Sequence, residues 1–535
     1  MYQLQLNHSY FPAQAGKTLL SRSIGDDLRM AAQSAPDRIA LIAYNAEGVL
    51  AGQWTYGQLL QRSEQLARHL AAQYAKGARI AVCAPNIPEW VMLEYAAALA
   101  GLVLVTINPS FQLAEMSYVI GQSKAVALFY VSSCRGNPIG NIARQVQAVQ
   151  PALHTLVDMQ DEHAFHGAPV PVPVQLPRVS GDDAAQIQYT SGTTGFPKGA
   201  VLTHRGLLNN ARLAADRLGM DENSRYLNMM PMFHTAGCGL GTLMPLAVRG
   251  RVILVEQFNP RQVNDIIERE QVSCLLGVPT MLIGLLEDLQ HAPRQHASLQ
   301  AIIAGGSMVP RSLLTHAMQQ WGCPVQVGYG QTETSPVVTQ TFADDALEDL
   351  CDTIGQPLPH TEVAILDPAT NAIQPLNVIG EICARGYMAM REYNDNPEAT
   401  AATIDASGWL HTGDLGSMDA RGYVRITGRL KEMIIRGGEN LFPAEIENVM
   451  QSHPAIAEVA VVGIPDNKWG EVVGCFIRWE QGVTPLTDEQ LSAHALRHLS
   501  PQKKPQHWIT IEAWPLTGSG KIQKFRLREM VGGSL

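Results

Sequence analysis

The sequence predicts an α/β protein in which a large layered N-terminal domain with mostly parallel sheets precedes a small α+β C-terminal domain. The first observation is a strand-helix-strand unit: RIAVC from Arg79 indicates a strand, Pro88–Ala100 a helix, and 102–106 a second strand. The second is the length of 535 residues, which exceeds what one hydrophobic core usually organises. The third is a change of pattern after about Gly428.

The strand-then-helix pattern returns in the second half of the chain. The apolar segment 299–304 predicts a strand that runs into Gly305 and Gly306, a helix begins near Pro310, and another strand follows at 324–327. Repeated units of this kind indicate parallel strands joined by crossover helices.

The C-terminal part has a different order of predicted helices and strands. A helix is predicted from Pro443, strands at 458–463 and 472–479, and another helix from Asp488, followed by a basic tail. We therefore expect a large domain over residues 1–429 and a small one over 430–535.

Composition excludes several classes of function. A net charge of -10 gives no electrostatic footprint for nucleic acid. The eight cysteines are widely spaced and predict free thiols in a reducing compartment. The apolar stretch 95–107, interrupted by Gly101, is too short for a membrane span. With no evident secretory signal, we expect a cytoplasmic protein without an integral membrane segment.

The segment 189–204, YTSGTTGFPKGAVLTH, is the most informative. Hydroxyls, backbone amides freed by glycine and one cation suit a polyphosphate, and a polar turn between strands is the alternative. It differs from the common nucleotide P-loop because Lys198 precedes Gly199 instead of following a glycine and preceding Ser or Thr. Its candidate phosphate ligands are Thr190, Ser191, Gly192, Thr193, Thr194 and Lys198.

Four further segments follow in order: YGQTETSP (329–336), GWLHTGDLG (408–416), GRLKEMIIRGGENLFPAEIE (428–447) and PLTGSGKIQKFRLRE (515–529). With these motifs the chain resembles the adenylate-forming superfamily of acyl-CoA synthetases, nonribosomal-peptide adenylation domains and beetle luciferases. The similarity covers nearly the whole chain. It implies an AMP-binding and acyl-binding N-terminal domain and a mobile C-terminal domain.

The resemblance implies an ATP site. Tyr329 would pack on adenine, since a flat base needs flat or side-chain-free neighbours. Thr332 would bind the α-phosphate, and Glu333 would hold Mg2+, a hard cation that prefers oxygen ligands. The opposite wall of the adenine pocket would be formed by Gly305, Gly306 and Ser307.

Two residues match the ribose contacts of the family. Asp414 corresponds to the carboxylate that accepts both ribose hydroxyls, and Arg429 to a second contact. The alternative for Asp414 is a turn residue after Gly413.

Lys521, in TGSGK, corresponds to the catalytic lysine of the family. A cation there would stabilise the charge that builds up as a carboxylate attacks the α-phosphorus. The alternative is that Lys521 belongs to a solvated basic tail together with Lys524, Arg526 and Arg528.

The resemblance also implies rotation of the small domain, with Lys431 at the hinge. Rotation would bring Gly437 and Gly438 to the active site, where they would wall a narrow passage for pantetheine. For the nucleotide end of coenzyme A the candidates are Trp469 and the pair Lys503 and Lys504, with ordinary solvated lysines as the alternative.

The acid pocket is expected to be lined by 232–241, 277–282 and 335–338. His234 stands where amino-acid-activating relatives carry an aspartate for the substrate ammonium, which disfavours an amino acid. We expect His234 to act as a gate, or alternatively to be a packed polar residue. Small residues in the wall are consistent with an alkyl chain, and an aromatic ring fits equally.

The sequence therefore predicts an acyl-CoA synthetase, most similar to medium-chain enzymes, that uses ATP, Mg2+ and coenzyme A on a medium- to long-chain fatty acid. Alternatives are an aryl-acid CoA ligase, a fatty acyl-AMP ligase that loads an acyl carrier protein, and a luciferase-like oxidoreductase. A noncatalytic binding module is disfavoured by the candidate catalytic residues. A serine hydrolase built on Ser307 is disfavoured because Val309 replaces the glycine its turn requires. A monomer or homodimer is expected.

Overall fold

The computed structural model describes residues 1–166, 174–190, 197–516 and 522–532. Within these ranges the chain forms a large N-terminal domain with three sheets and a small C-terminal domain with a fourth. No helix in these ranges combines the length and the apolar character that a bilayer span requires. Strands and helices are numbered below in chain order.

The largest sheet has nine strands. Its inner strands are parallel, and antiparallel strands close both of its edges. In spatial order it contains β16 (Gln356–Pro357), β15 (Val337–Gln340), β14 (Val325–Gly330), β13 (Ala301–Gly305), β12 (Cys274–Gly277), β10 (Arg225–Asn228), β11 (Arg251–Val255), β2 (Ile39–Tyr44) and β3 (Leu50–Thr55).

The seven-stranded sheet is also parallel, except at one edge where two antiparallel strands are added. In spatial order it contains β19 (Glu392–Tyr393), β9 (Lys198–Thr203), β8 (Ala184–Thr190), β5 (Val103–Thr106), β4 (Arg79–Cys83), β6 (Ala127–Tyr130) and β7 (Thr155–Asp158).

The third sheet of the large domain is antiparallel throughout, which the sequence analysis did not anticipate. From residue 361 onward its strands follow one another with no helix longer than the seven residues Pro397–Thr403 between them, so they return by short connections, as antiparallel strands can. In spatial order it contains β1 (Tyr10–Phe11), β17 (Thr361–Leu366), β18 (Gly380–Gly386), β20 (Leu410–Met418) and β21 (Val424–Arg429).

The sheet of the small domain is mixed, with one parallel pairing at β26. It contains β23 (Glu439–Leu441), β22 (Ile434–Arg436), β25 (Gly470–Trp479), β24 (Ile456–Asp466) and β26 (His507–Thr510).

Helices cover the sheets and connect their parallel strands. The helices are α1 (Ile24–Ser34), α2 (Tyr56–Gln73), α3 (Pro88–Ala100), α4 (Leu113–Ser123), α5 (Ile139–Val149), α6 (Glu162–His166), α7 (His204–Arg217), α8 (Leu243–Val248), α9 (Pro260–Glu270), α10 (Pro279–His291), α11 (Arg311–Trp321), α12 (Leu347–Asp352), α13 (Pro397–Thr403), α14 (Pro443–Gln451), α15 (Asp488–His498) and α16 (Lys524–Gly532).

The predicted strand-helix-strand units are confirmed. Strand β4 pairs in parallel with β5 across α3, which begins with Pro88 in its first turn and ends at Gly101 in a left-handed conformation. The second strand begins at Val103 and not at the expected Leu102, because the Leu102 amide donates to Ala97 O and completes the helix end. The unit formed by β13, α11 and β14 is likewise parallel.

The small domain agrees with the sequence in its helices from Pro443 and Asp488 and in two long strands. The short hairpin β22–β23 and the strand β26 were not predicted, because each is too short to show a clear hydrophobic period. The helix α16 was interpreted as a basic tail, because Lys524, Arg526 and Arg528 dominate its sequence. Arg429 ends β21 and Leu430 begins a single 3-10 turn, Leu430–Glu432. The domain boundary between residues 429 and 430 stays a prediction.

Lys524 is not part of a solvated tail, so that alternative is wrong for this residue. Its ammonium lies 2.8 Å from Glu432 Oε2 and 2.8 Å from Glu447 Oε1, which belongs to α14. Burial alone would lower the pKa of Lys524, but the two carboxylates raise it above its ordinary value. Arg528 is also paired, with Glu471.

We predict that Lys524→Ala destabilises the small domain, because the change leaves two carboxylates side by side without their shared cation. The side chain is 21% exposed, so the expected loss of about 2 kcal/mol in the free energy of unfolding is below that for a fully buried pair. Thermal unfolding measures it. Arg526→Ala, an exposed position on the same helix, is the matched control and should change stability by less than about 0.5 kcal/mol. Equal effects of the two changes would contradict the prediction.

Candidate active site

The candidate nucleotide site lies where parallel strands β13 and β14 end, the edge at which open α/β sheets bind ligands. Gly305 pairs with Gly328, one residue before Tyr329. A Cβ atom at Gly305 would stand 2.5 Å from the Gly328 carbonyl oxygen, and Gly306 has a φ of +81°. Both positions therefore require glycine, Gly305 because β14 packs against it and Gly306 because of its left-handed backbone, and the chain becomes exposed from Gly306 to Ser307.

The carboxylate of Asp414 is held from two sides. The Tyr329 hydroxyl donates to Asp414 Oδ2 at 2.8 Å, and Arg429 Nε lies 3.2 Å from Asp414 Oδ1. Asp414 and Arg429 also face each other across the β20–β21 pair. Burial, together with this carboxylate, raises the pKa of Tyr329 well above its ordinary value, so the phenol remains a donor. The structure thus brings three predicted nucleotide contacts together.

The part of β20 that carries Asp414 is fixed by Glu381, which the sequence analysis missed. Glu381 Oε1 accepts from the Gly413 amide at 2.9 Å, and Glu381 Oε2 lies 2.7 Å from His411 Nδ1. Thr412 Oγ1 donates to the Ile382 carbonyl at 2.6 Å and accepts from the Asp414 amide. Asp414 is thus more than a turn residue, because its backbone and carboxylate are both constrained.

Glu333 lies on a single 3-10 turn, Thr332–Thr334, and is only 7% exposed. Its Oε1 accepts from the Tyr393 hydroxyl at 2.6 Å and lies 3.5 Å from Thr190 Oγ1. Its carbonyl accepts from the Met390 amide at 2.7 Å. The start of the threonine-rich segment and the predicted metal ligand are therefore adjacent.

Tyr393 was not among the predicted site residues, although it contacts two of them. Besides its bond to Glu333, its ring lies 5.1 Å from the Lys198 ammonium. It reaches this place because β19 pairs with β9, which begins at Lys198. Pairing over nearly two hundred residues leaves no local signal, so a single sequence could not have revealed the contact.

Several predicted residues lie outside the described part of the chain. They are the loop residues Ser191, Gly192, Thr193 and Thr194, and the lysine of the C-terminal motif, Lys521. The roles assigned to them stay predictions.

His234 lies two residues before a π-helical turn, Ala236–Leu240. Its ring centroid lies 4.7 Å from that of Phe233, and its carbonyl accepts from the Gly237 and Cys238 amides. Turns of this type often occur at functional sites.

The glycines around this turn are explained by packing, whereas the sequence analysis took small residues here as room for the acid. A Cβ atom at Gly237 would stand 2.2 Å from the Pro231 carbonyl oxygen, and one at Gly241 would stand 2.3 Å from Asn228 Nδ2. Both glycines are required by packing inside the wall, so they are not evidence for an open pocket in front of it.

In the small domain, Gly437 and Gly438 form the two-residue turn of the β22–β23 hairpin with φ values of +59° and +87°. A Cβ atom at Gly437 would stand 2.8 Å from the ring of Trp469, which is 37% exposed. Arg436 and Lys468 lie over that ring at 4.6 Å and 5.0 Å. Gly437, Gly438 and Trp469, which the resemblance assigns to coenzyme A, therefore lie together on the surface of the small domain.

The lysines expected near coenzyme A and the hinge differ in their surroundings. Lys503 is paired with Glu445 at 2.6 Å, so it is not an ordinary solvated lysine. Lys504 is half-buried. Lys431 is exposed in the 3-10 turn that follows β21.

The sheet edge at β13 and β14, the Asp414 carboxylate held by Tyr329 and Arg429, and the separate C-terminal sheet agree with the adenylate-forming class that the motifs indicate. Family models agree: one described as AMP-binding enzyme matches residues 28–394, and one described as AMP-binding enzyme C-terminal domain matches residues 445–521. The chain belongs to the AMP-binding enzyme family.

Known proteins that resemble the chain are named as ligases and synthetases. It is 36% identical to "Putative acyl-CoA synthetase YngI" of Bacillus subtilis (strain 168), over 96% of this chain and 97% of that protein. It is 33% identical to the mitochondrial medium-chain acyl-CoA ligase ACSF2 of Rattus norvegicus, over 98% and 90%. The solved o-succinylbenzoate CoA synthetase MenE of Bacillus subtilis, in complex with OSB-AMP, superposes with a TM-score of 0.84 at 29% identity, over 95% and 99%. The expected membership of the adenylate-forming superfamily, near medium-chain acyl-CoA synthetases, is confirmed.

We predict that Asp414→Asn weakens AMP binding about ten- to a hundredfold, since hydrogen bonds to a charged group contribute about 1.5–3 kcal/mol. The amide keeps the shape but loses the charge that Arg429 faces. Isothermal titration calorimetry with AMP measures the change. Asp344→Asn, at an exposed position, is the control and should bind AMP like the parent. Unchanged affinity in Asp414→Asn would contradict this assignment.

Proposed function

We propose that the chain is an AMP-forming acid–CoA ligase that joins a medium- to long-chain fatty acid to coenzyme A through an acyl-AMP intermediate, using ATP and Mg2+. The observation that carries the proposal is the Asp414 carboxylate held by Tyr329, near the carboxyl end of β14, and by Arg429. A carboxylate oxygen has the capacity for more than one hydrogen bond, so these contacts are compatible with bonds to the two ribose hydroxyls.

Tyr329 is the assigned adenine contact. Its hydroxyl bond to Asp414 restrains the ring near the end of β14, and the space considered for adenine lies between this strand end and the exposed residues 306–307, which follow β13. We assign the adenine to this space and the ribose to Asp414 and Arg429. The phosphates then extend toward Thr332, Thr190 and Lys198, which lie around Glu333 or Tyr393.

Glu333 suits a magnesium ion in its chemistry. The carboxylate and the nearby Thr190 hydroxyl are hard oxygen donors, the type that Mg2+ prefers, and Thr332 precedes Glu333 in the same turn. Tyr393 holds one carboxylate oxygen and thereby orients the other. A bound Mg2+ would neutralise part of the charge on the phosphates.

In the first half-reaction the acid carboxylate attacks the α-phosphorus and pyrophosphate leaves. Lys521 is assigned the neutralisation of the charge that develops there. The chain is anchored three residues further on, where Lys524 binds Glu432 and Glu447. In the second half-reaction the thiolate of coenzyme A attacks the acyl carbonyl carbon and AMP leaves, for which Lys431 is the assigned hinge.

The remaining assignments concern the coenzyme A contacts, the gate of the acid pocket, the cellular location and the oligomeric state. Gly437, Gly438 and Trp469 are assigned to coenzyme A, on the basis of their shared surface feature. His234 is assigned as the gate of the acid pocket. Cytoplasmic location, a monomer or homodimer, and coenzyme A in place of a carrier protein stay predictions, the first supported by eight free cysteines.

The test is ATP-dependent thioester formation with hexanoate, decanoate, palmitate and benzoate. We expect decanoate to be a substrate, because the residues predicted to line the acid pocket are mostly apolar. Acyl-CoA, AMP and pyrophosphate should then form in equal amounts. Preference for benzoate would support the aryl-acid alternative, which the similarity to MenE keeps open. Acyl-AMP that accumulates without thioester would support loading of a carrier protein, and oxygen uptake would support an oxidoreductase. Each of these results would overturn the proposal as stated.

We predict that Lys521→Ala lowers the rate of pyrophosphate release about a hundred- to a thousandfold, the usual effect of removing one group that stabilises developing charge. Thioester formation from supplied acyl-AMP should be nearly unchanged, since that step does not use the lysine. Arg526→Ala is the control for loss of a cation nearby. Undiminished pyrophosphate release in Lys521→Ala would exclude the assigned role.

A further inference from the structure

A buried polar cluster lies behind the turn that follows His234, and the proposed reaction does not use it. At its centre is Glu94 of α3, which is 3% exposed. Glutamates are almost never this buried unless they are paired. The other members of the cluster are Gln186 and Gln188 of β8, Cys238 of the π-helical turn, and Thr242.

The hydrogen bonds show which atoms need protons. Gln186 Nε2 donates to Glu94 Oε1 at 2.8 Å. The Thr242 hydroxyl lies 2.9 Å from Glu94 Oε2 and also contacts the Cys238 carbonyl oxygen. A hydroxyl has one proton and here faces two acceptor oxygens, so a second proton is needed between them. A protonated Glu94 supplies it: Glu94 donates to Thr242, and Thr242 donates to the turn.

The charges around Glu94 agree with this arrangement. No cation contacts Glu94 among the residues that the structure describes, and burial raises the pKa of its carboxyl to about 8. The acid is therefore mostly neutral near pH 7. The titratable groups on the packed elements are Cys238 of the turn, Tyr95 of α3, Tyr56 of α2, and Asp27 of α1, which is paired with Arg22 and Arg249.

We propose that Glu94 is a positioning residue which, as a neutral acid, holds the turn Ala236–Leu240 and so sets the shape of the acid-binding wall. This inference rests on the proposed function, because only that function places the turn at the acid. Cys238 links the same turn to β8, since its sulfur lies 3.0 Å from Gln188 Nε2.

Ionisation of Glu94 would reverse the chain of hydrogen bonds. Thr242 would then turn its proton toward the new carboxylate, and the Cys238 carbonyl would lose its partner. Only the neutral form holds the wall, so the apparent KM for the acid should rise, approaching about tenfold per pH unit above about pH 8.

The experiment compares the parent with Glu94→Gln, which keeps one donor and one acceptor in place but cannot ionise. The KM for decanoate is measured in the adenylation half-reaction, by capture of acyl-AMP with hydroxylamine, from about pH 7 to about pH 10. We expect the rise in the parent and a flat profile in Glu94→Gln. Glu287→Gln, on the exposed face of α10, is the matched control and should follow the parent. Parallel profiles of the parent and Glu94→Gln would overturn the inference.

A second readout does not need activity. The carboxyl pKa is raised from 4.5 in the unfolded chain to about 8, so the parent loses stability as pH rises through this window. The melting temperature of Glu94→Gln relative to the parent should therefore increase between about pH 5 and about pH 8 and then level off. A constant difference overturns the inference. Lack of adenylation with every acid, alongside the expected pH-dependent difference, would instead overturn the proposed function.

Discussion

The carboxylate of Asp414 joins two sheets of the molecule, and the arrangement of the site depends on it. Asp414 and Arg429 belong to neighbouring strands of the antiparallel sheet, and Tyr329 belongs to the nine-stranded sheet. A charge at this buried position is stable only because it is paired and hydrogen-bonded. The nucleotide edge and the connection to the small domain are thereby fixed relative to each other.

The sequence predicted those parts of the fold that are governed by local rules. The helix Pro88–Ala100 was read correctly at both ends, since proline at the first turn and a left-handed glycine after the last turn are local signals. The antiparallel sheet was not predicted from the sequence, because its strands pair across bulges, which shift the alternation of buried and exposed side chains.

The same distinction between local signals and long-range contacts applies to the site residues. Residues inside contiguous motifs, such as Glu333 and Asp414, could be named from the sequence, whereas Tyr393 and Glu381 act through contacts made by distant strands. Glycines carried a further ambiguity. A missing side chain can leave room for a ligand or for a neighbouring carbonyl, and at Gly237 the structure shows the second.

The ion pairs of Lys524 limit what the connection between the domains can do. Glu432 is held within the small domain by Lys524, and Arg429 is held within the large domain by Asp414. Only Leu430 and Lys431 remain between these two anchors, so the three Cα–Cα steps from Arg429 to Glu432 extend over no more than about 11 Å. While both ion pairs persist, this short segment is compatible with rotation of one domain against the other but not with separation of the two anchors beyond that distance.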